Sequence, residues 1–204
     1  MARYGPEHKG ATRRRMIETA GRRFKSDGID GSGIATLVAD AGLTNGAFYG
    51  HFASKDDLVA AVVTQQLEDQ VARVDALPAG LASVETFLRE YLSPAHRDDL
   101  AGGCPSAALL DEIGRRDDAT KHAYTDGARS MIDAIARHLD DGDAQLARER
   151  AIGLFTLVVG ALQAARAITD ATLSDGILAA TYTNAMTIAA ASQRSAAPSD
   201  QESR

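Results

Sequence analysis

The chain has 204 residues, enough for one domain with a sizeable core or a small domain joined to a larger one, and too few for a barrel enzyme of roughly 300 residues. Hydrophobic residues at 45% and charged residues at 25% exclude a disordered or collagen-like chain. A net charge of −6, taken as an average, argues against a polyanionic partner.

Ala, Leu and Arg are plentiful, Trp is absent, and apolar residues nowhere alternate strictly with polar ones, so an all-α fold is predicted. From Thr12 to Lys25, Ile17, Ala20, Gly21 and Phe24 fall on one side of a helix with arginines on the other, and Gly28 closes it. Gly31-Ser32-Gly33 opens a short second helix, Ile34 to Ala41, broken by Gly42. Thr44 is placed to cap a third, ending near Phe48 or Gly50, with Phe48 and Phe52 as apolar anchors. Ser54-Lys55-Asp56-Asp57 fits a serine-x-x-acid cap before a long amphipathic helix reaching about residue 76.

After Pro78 and Gly80, residues Val84, Phe87, Leu88, Tyr91 and Leu92 predict another amphipathic helix, stopped by Pro94 and followed by a polar loop through Gly102-Gly103. Further helices are expected at about Pro105 to Gly114, Asp117 to Leu139, Asp143 to Thr169 and Ser174 to Ser192, separated by Gly and Asp clusters. The tail from Gln193 to Arg204 lacks large apolar residues and is expected to be disordered.

The single cysteine, Cys104, can form neither an internal disulfide nor a cysteine-based zinc site, and no cofactor or metal is implied. Met1 to Gly10 lacks a signal-peptide core, and the most apolar run, Ala151 to Leu162, is too short for a bilayer. The expectation is therefore a cytoplasmic protein with no membrane partner.

The charge is uneven. Residues 1 to 55 hold nine Lys/Arg against five acids, whereas the remainder holds 13 against 23. A basic end on an acidic body is the outline of a small nucleic-acid module attached to a larger unit. The arginines can also simply solvate a helix face, so the motifs decide. Two short helices joined by a Gly turn behind a basic helix fit a helix-turn-helix, although such pairs also occur in folds that never meet DNA.

At these residues the chain resembles the TetR/AcrR family of bacterial transcriptional regulators. Arg14, Ile17, Ala20, Phe24 and Gly28 look like that family's first helix, and Ala41-Gly42-Leu43-Thr44 resembles its turn. Gly46-Ala47-Phe48-Tyr49-Gly50-His51-Phe52, with Ser54-Lys55 and Leu58, looks like its recognition helix and the start of its fourth helix. The resemblance implies a DNA-binding domain at 1–53 and a helical ligand-binding and dimerisation domain at 54–192, with 193–204 as a tail. It implies a repressor that binds palindromic operator DNA as a homodimer and is released by a small-molecule effector.

On this reading Arg14, Ser32, Thr36, Thr44, Tyr49, His51 and Lys55 meet the DNA, largely at phosphates. Asn45 carries the amide suited to a bidentate contact with adenine, Gly46 allows close approach, and Ala47 suits a thymine methyl. Gly33 and Gly50 depart from the commoner family pattern of a Ser/Thr cap and a long side chain; Ser32 is expected to cap in place of Gly33.

In the body, Gly153, Leu157, Gly160, Ala164, Tyr182 and Met186 are the expected dimer interface, because small residues seven apart let a partner helix approach. The same periodicity also fits an intrachain core. Phe87, Tyr91, Cys104, Leu109, Tyr124, Met131 and Phe155 are the expected pocket residues. A thiol at a helix start in Gly102-Gly103-Cys104-Pro105 adds two rival functions, a thiol-based sensor and an enzyme pairing Cys104 with His96 or His122. A third rival is a helical binding protein without DNA affinity.

Overall fold

The computed structural model describes residues 6–191, all of whose regular elements are helices. The tail expected to be disordered lies outside these residues. Three helices, α1 (Pro6–Asp27), α2 (Ile34–Asp40) and α3 (Asn45–Tyr49), form the N-terminal end. A long helix, α4 (Lys55–Asp75), leads into α5 (Leu81–Tyr91), α6 (Pro94–Asp98), α7 (Pro105–Gly114) and α8 (Asp118–Leu139), and α9 (Ala144–Ala167) and α10 (Ala171–Ala190) complete the bundle.

Side-chain caps set most of these boundaries. The hydroxyls of Thr44, Ser54 and Ser93, and the carboxylates of Asp117, Asp143 and Asp170, each accept the backbone N–H three residues on. Gly28 and Gly42 end α1 and α2 with positive φ, where a side chain is strained.

Two apolar clusters share α4. Near its start, Leu58, Val62 and Leu67 join Ile17, Phe24, Leu37, Phe48 and Phe52, together with Leu109 and Ile113 of α7. Near its end, Val74 joins the cluster built from α5, α8, α9 and α10. The helix is 21 residues long, about 32 Å at 1.5 Å per residue, so it runs from one cluster to the other.

The structure differs from the sequence reading in several places. Helix α1 begins at Pro6, earlier than Thr12, and α10 begins at Ala171, earlier than Ser174, because Asp170 supplies the cap. Pro94 ends α5 but also opens α6, with Ser93 as its cap: a proline stops the preceding helix yet is well suited to a first turn, where its missing N–H is not needed. Ser32 does not cap α2. Its buried hydroxyl donates to Gly28 O at 2.9 Å, and Gly33 takes the cap position with no side-chain bond.

Among the described residues α9 is long and apolar enough to cross a membrane by length and composition, more than the short apolar run suggested. It packs here between α8 and α10. Its Arg150 is 8% exposed and donates to the carbonyls of Leu139, Ala189 and Ala191.

Candidate nucleic-acid interface and inner cavity

The turn between α2 and α3 is closed by Gly42 N–H donating to Ala39 O at 2.9 Å and Leu43 N–H to Val38 O at 2.8 Å. Phe48 is fully buried and anchors α3, which leaves Thr44, Asn45, Gly46 and Tyr49 facing outward. Tyr49 is 64% exposed, although an aromatic ring ordinarily seeks cover, and it stands edge-on to Phe48 at 5.1 Å. The carboxamide of Asn45 makes no hydrogen bond within the described residues, so its donors and acceptor are available for base edges.

Beside this helix, Arg13 lays its guanidinium over Phe52 at 5.0 Å. His51 lies below its ordinary pKa, through burial first and then the neighbouring Lys9 and Arg13. Arg14 on α1 and Thr36 on α2 are exposed, and Lys55 is half-buried at the first turn of α4. Ser32 is the exception in the predicted set: at 1% exposure its side chain is turned inward and is not offered to a ligand.

At the far end of α4 lies a cavity of about 380 Å³, walled by Gln70, Arg73, Val74 and Leu77, by Phe87, Glu90 and Tyr91 of α5, and by His96, Gly102 and Gly103. Phe87 and Tyr91 were expected there. Cys104 sits behind Gly103, Leu109 lies in the N-terminal cluster with Tyr124 packed against it, and Met131 and Phe155 belong to the second cluster. The walls from α4 and α6 were not foreseen, since polar residues on an amphipathic helix carry no mark of the void they face.

The Tyr91 hydroxyl is buried beside the Cys104 thiol, with no partner at full hydrogen-bond geometry, and burial first and then the thiol raise its pKa well above the ordinary tyrosine value. The His96 ring is fixed in one neutral form: Nδ1–H donates to Tyr91 O at 2.8 Å and Nε2 accepts the Cys104 N–H at 3.1 Å. Burial lowers its pKa. The Cys104 thiol reaches Gln70 Oε1 at 3.6 Å. His96 therefore stands next to Cys104 but spends its acceptor on backbone, while His122 is exposed and bonds Asp118 O, so neither forms a nucleophile–base pair with the thiol.

Two cations converge behind the cavity. Lys25 of α1 donates to Gly103 O at 2.8 Å, and burial lowers its pKa to about 8. Arg166 of α9 donates to the carbonyls of Arg97 and His96, leaving Nη1 buried without a partner, and burial lowers its pKa.

On the outer face of α9 and α10, Ile152, Gly160, Ala164 and Leu173 are exposed. Gly153 faces Ile188, Leu157 and Met186 are half-buried, and the Tyr182 hydroxyl donates to Glu85 at 3.1 Å.

Residues 16–62, which contain α2, the turn, α3 and the start of α4, match the model of the bacterial regulatory proteins of the tetR family. This segment carries the DNA-binding region of the TetR family. The HTH-type transcriptional regulator TtgR of Pseudomonas putida is 36% identical over 75 residues, and the chain spans 36% of that relative's length. UidR of Escherichia coli is 26% identical over 85 residues, spanning 43% of its length. The likeness in fold is much longer. The crystal structure of reduced E. coli NemR superposes with a TM-score of 0.74 at 19% identity, over 86% of this chain and 95% of that one. Salmonella enterica GusR gives 0.63 at 20% identity, over 92% and 97%. A helix-turn-helix matching the TetR-family model is thus carried on a helical body with the architecture of these solved structures.

Proposed function

We propose that this TetR-family protein is a cytoplasmic, ligand-responsive repressor that binds a near-palindromic operator as a homodimer and leaves it when a small molecule fills the cavity beside α5. The observation that carries this reading is the placement of α4, whose first turns pack beneath Phe48 and Phe52 and whose last turns wall the cavity. Asn45 and Ala47 read bases, Gly46 permits the approach, and Thr44, Tyr49, His51, Lys55, Arg14 and Thr36 hold the sugar-phosphate backbone. Two copies joined through α9 and α10 set the spacing of the two α3 helices, which fixes the half-site separation.

The cavity suits a compact molecule with an apolar body, lying against Val74, Leu77 and Phe87, and a hydrogen-bonding oxygen that pairs with the Tyr91 hydroxyl. To release DNA it must bind the DNA-incompetent arrangement more tightly, by a coupling of about 1–3 kcal/mol in typical cases. The test is fluorescence anisotropy on duplexes from the DNA flanking the gene. Binding to an inverted repeat that weakens steeply as salt rises supports the reading; indifference to every duplex at low ionic strength sinks it.

A second reading is favoured by Lys25 and Arg166, two partly buried cations that among the described residues have no carboxylate within salt-bridge distance and whose charges act on Cys104 from different helices. In it, Cys104 is the point at which an electrophile forms a thioether and releases DNA. N-ethylmaleimide adding one mass increment and abolishing duplex binding, with Cys104→Ser resistant, supports this reading; resistance of the unaltered protein refutes it.

A further inference from the structure

We propose that Lys25 is the positioning residue through which the cavity wall acts on the DNA-binding helices. The inference rests on the reading of the cavity as an effector site. Gly102 and Gly103 form part of that wall, and the Lys25 side chain crosses from α1 to Gly103, 78 residues away in sequence. The ammonium is largely out of water and among the described residues has no carboxylate within salt-bridge distance, so the Gly103 carbonyl is its principal polar partner. A molecule that pushes the Gly102–Gly103 backbone out of the cavity takes that partner away. The cation must then follow the carbonyl or move toward water, and either course displaces the end of α1.

Helix α1 transmits the shift because it is one element of 22 residues with Phe24 buried next to Lys25 and with Arg13 and Arg14 toward its other end. A second tie holds the loop after α1 at the opposite end of α7, where Glu112 accepts the Ile29 and Asp30 N–H groups. A change at Gly103 therefore tilts α1 about a held point, and the tilt is carried to α3 through Phe24, Leu37 and Phe48 in their shared cluster. The loop itself is tightly fitted. A Cβ on Gly103 would stand 2.7 Å from Arg166 Nη2, 2.8 Å from Asp99 O and 3.1 Å from His96 Nε2. Gly103→Ala thus displaces the loop without any ligand.

The test is a double-mutant cycle of Gly103→Ala and Lys25→Met on the full chain, read by duplex affinity and by amide exchange at residues 21–28. Gly103→Ala alone is expected to weaken duplex binding about tenfold and to speed exchange there, while in the Lys25→Met background it adds less than about twofold to either. Equal effects in both backgrounds overturn the proposal. If the unaltered protein binds no duplex, the repressor reading fails by itself and the exchange cycle still decides the role of Lys25. Should Gly103→Ala not fold, Lys25→Arg, which keeps a donor, is expected to bind duplex like the unaltered protein while Lys25→Met binds less well; equal affinities for the two variants overturn it.

Discussion

Glu112 of α7 accepts the backbone N–H of Ile29 at 2.8 Å, so a carboxylate from the body of the molecule closes the loop between α1 and α2. Ile29 is fully buried, and the same carboxylate takes the Asp30 N–H at 3.3 Å. Glu112→Ala leaves the part-buried Ile29 N–H without its partner and removes a charge-assisted bond, a loss of about 1.5–3 kcal/mol. The urea midpoint is expected to fall accordingly, with Glu112→Gln recovering part of it; an unchanged midpoint in the alanine variant refutes the assignment.

The proposed docking of α3 on DNA separates into two kinds of contact. Asn45→Ala is expected to change preference at one base position, at a cost of about 1–3 kcal/mol for that base, while Tyr49→Phe and Lys55→Ala weaken binding to all sequences alike. Lys55→Ala is also expected to make the salt dependence shallower by about one unit of log K against log salt. Anisotropy titrations on a set of single-base operator variants give both quantities. Unchanged affinity in all three proteins refutes the docking of α3.

The helix boundaries from α1 to α4 could be read closely from sequence because their determinants are local. Thr44 and Ser54 cap the helices they immediately precede, and Gly28 and Gly42 end helices within a few residues of the apolar pattern they interrupt. Long-range partners leave no such mark. Lys25 meets Gly103, and Cys104 meets Gln70 across 34 residues, only because α1, α4 and α7 pack together. Ser32 was misread for a related reason: a serine before a helix can cap it or turn back, and the choice depends on whether the preceding Gly28 carbonyl is within reach.

The Tyr91 hydroxyl tests whether the cavity is a built site or a packing defect. A buried hydroxyl without a partner costs about 1–3 kcal/mol in the empty protein, so Tyr91→Phe is expected to leave stability unchanged or raise it. It is also expected to weaken any effector that uses this hydroxyl. Paired measurements of melting temperature and effector-induced DNA release distinguish the roles: a destabilised variant with unaltered release removes Tyr91 from the site.

Lys25 makes stability depend on pH in a definite direction. Its pKa is about 8 in the folded chain against 10.5 as an ordinary lysine, so between these values the unfolded chain holds a proton that the folded chain has released. Stability contributed at this site therefore rises with pH across that window, and the penalty for burying the ammonium is fully present below it. Tyr91, Tyr124 and Tyr182 have raised pKa values and act in the opposite sense only above about pH 10. Urea unfolding between about pH 7.5 and 9.5, in a Cys104→Ser background that removes the thiol, is expected to show an upward slope that Lys25→Met flattens. Equal slopes in the two proteins contradict the burial of this ammonium.

Gly160 tests the proposed dimer. A Cβ at this position meets nothing within 4 Å in its own chain, and Ile152 and Ala164 lie exposed two turns before it and one turn after it on α9. A bulky charged residue there disturbs no intrachain packing but cannot be accommodated against a second helix at close approach. Gly160→Arg is therefore expected to keep the melting behaviour of a folded monomer, to sediment at half the mass of the unaltered protein, and to lose at least about 100-fold in operator affinity, because two half-sites no longer bind as one unit. Sedimentation velocity with operator titration checks each part. A variant that remains dimeric moves the interface away from this face of α9, and one that is monomeric yet binds the operator undiminished removes the need for two copies.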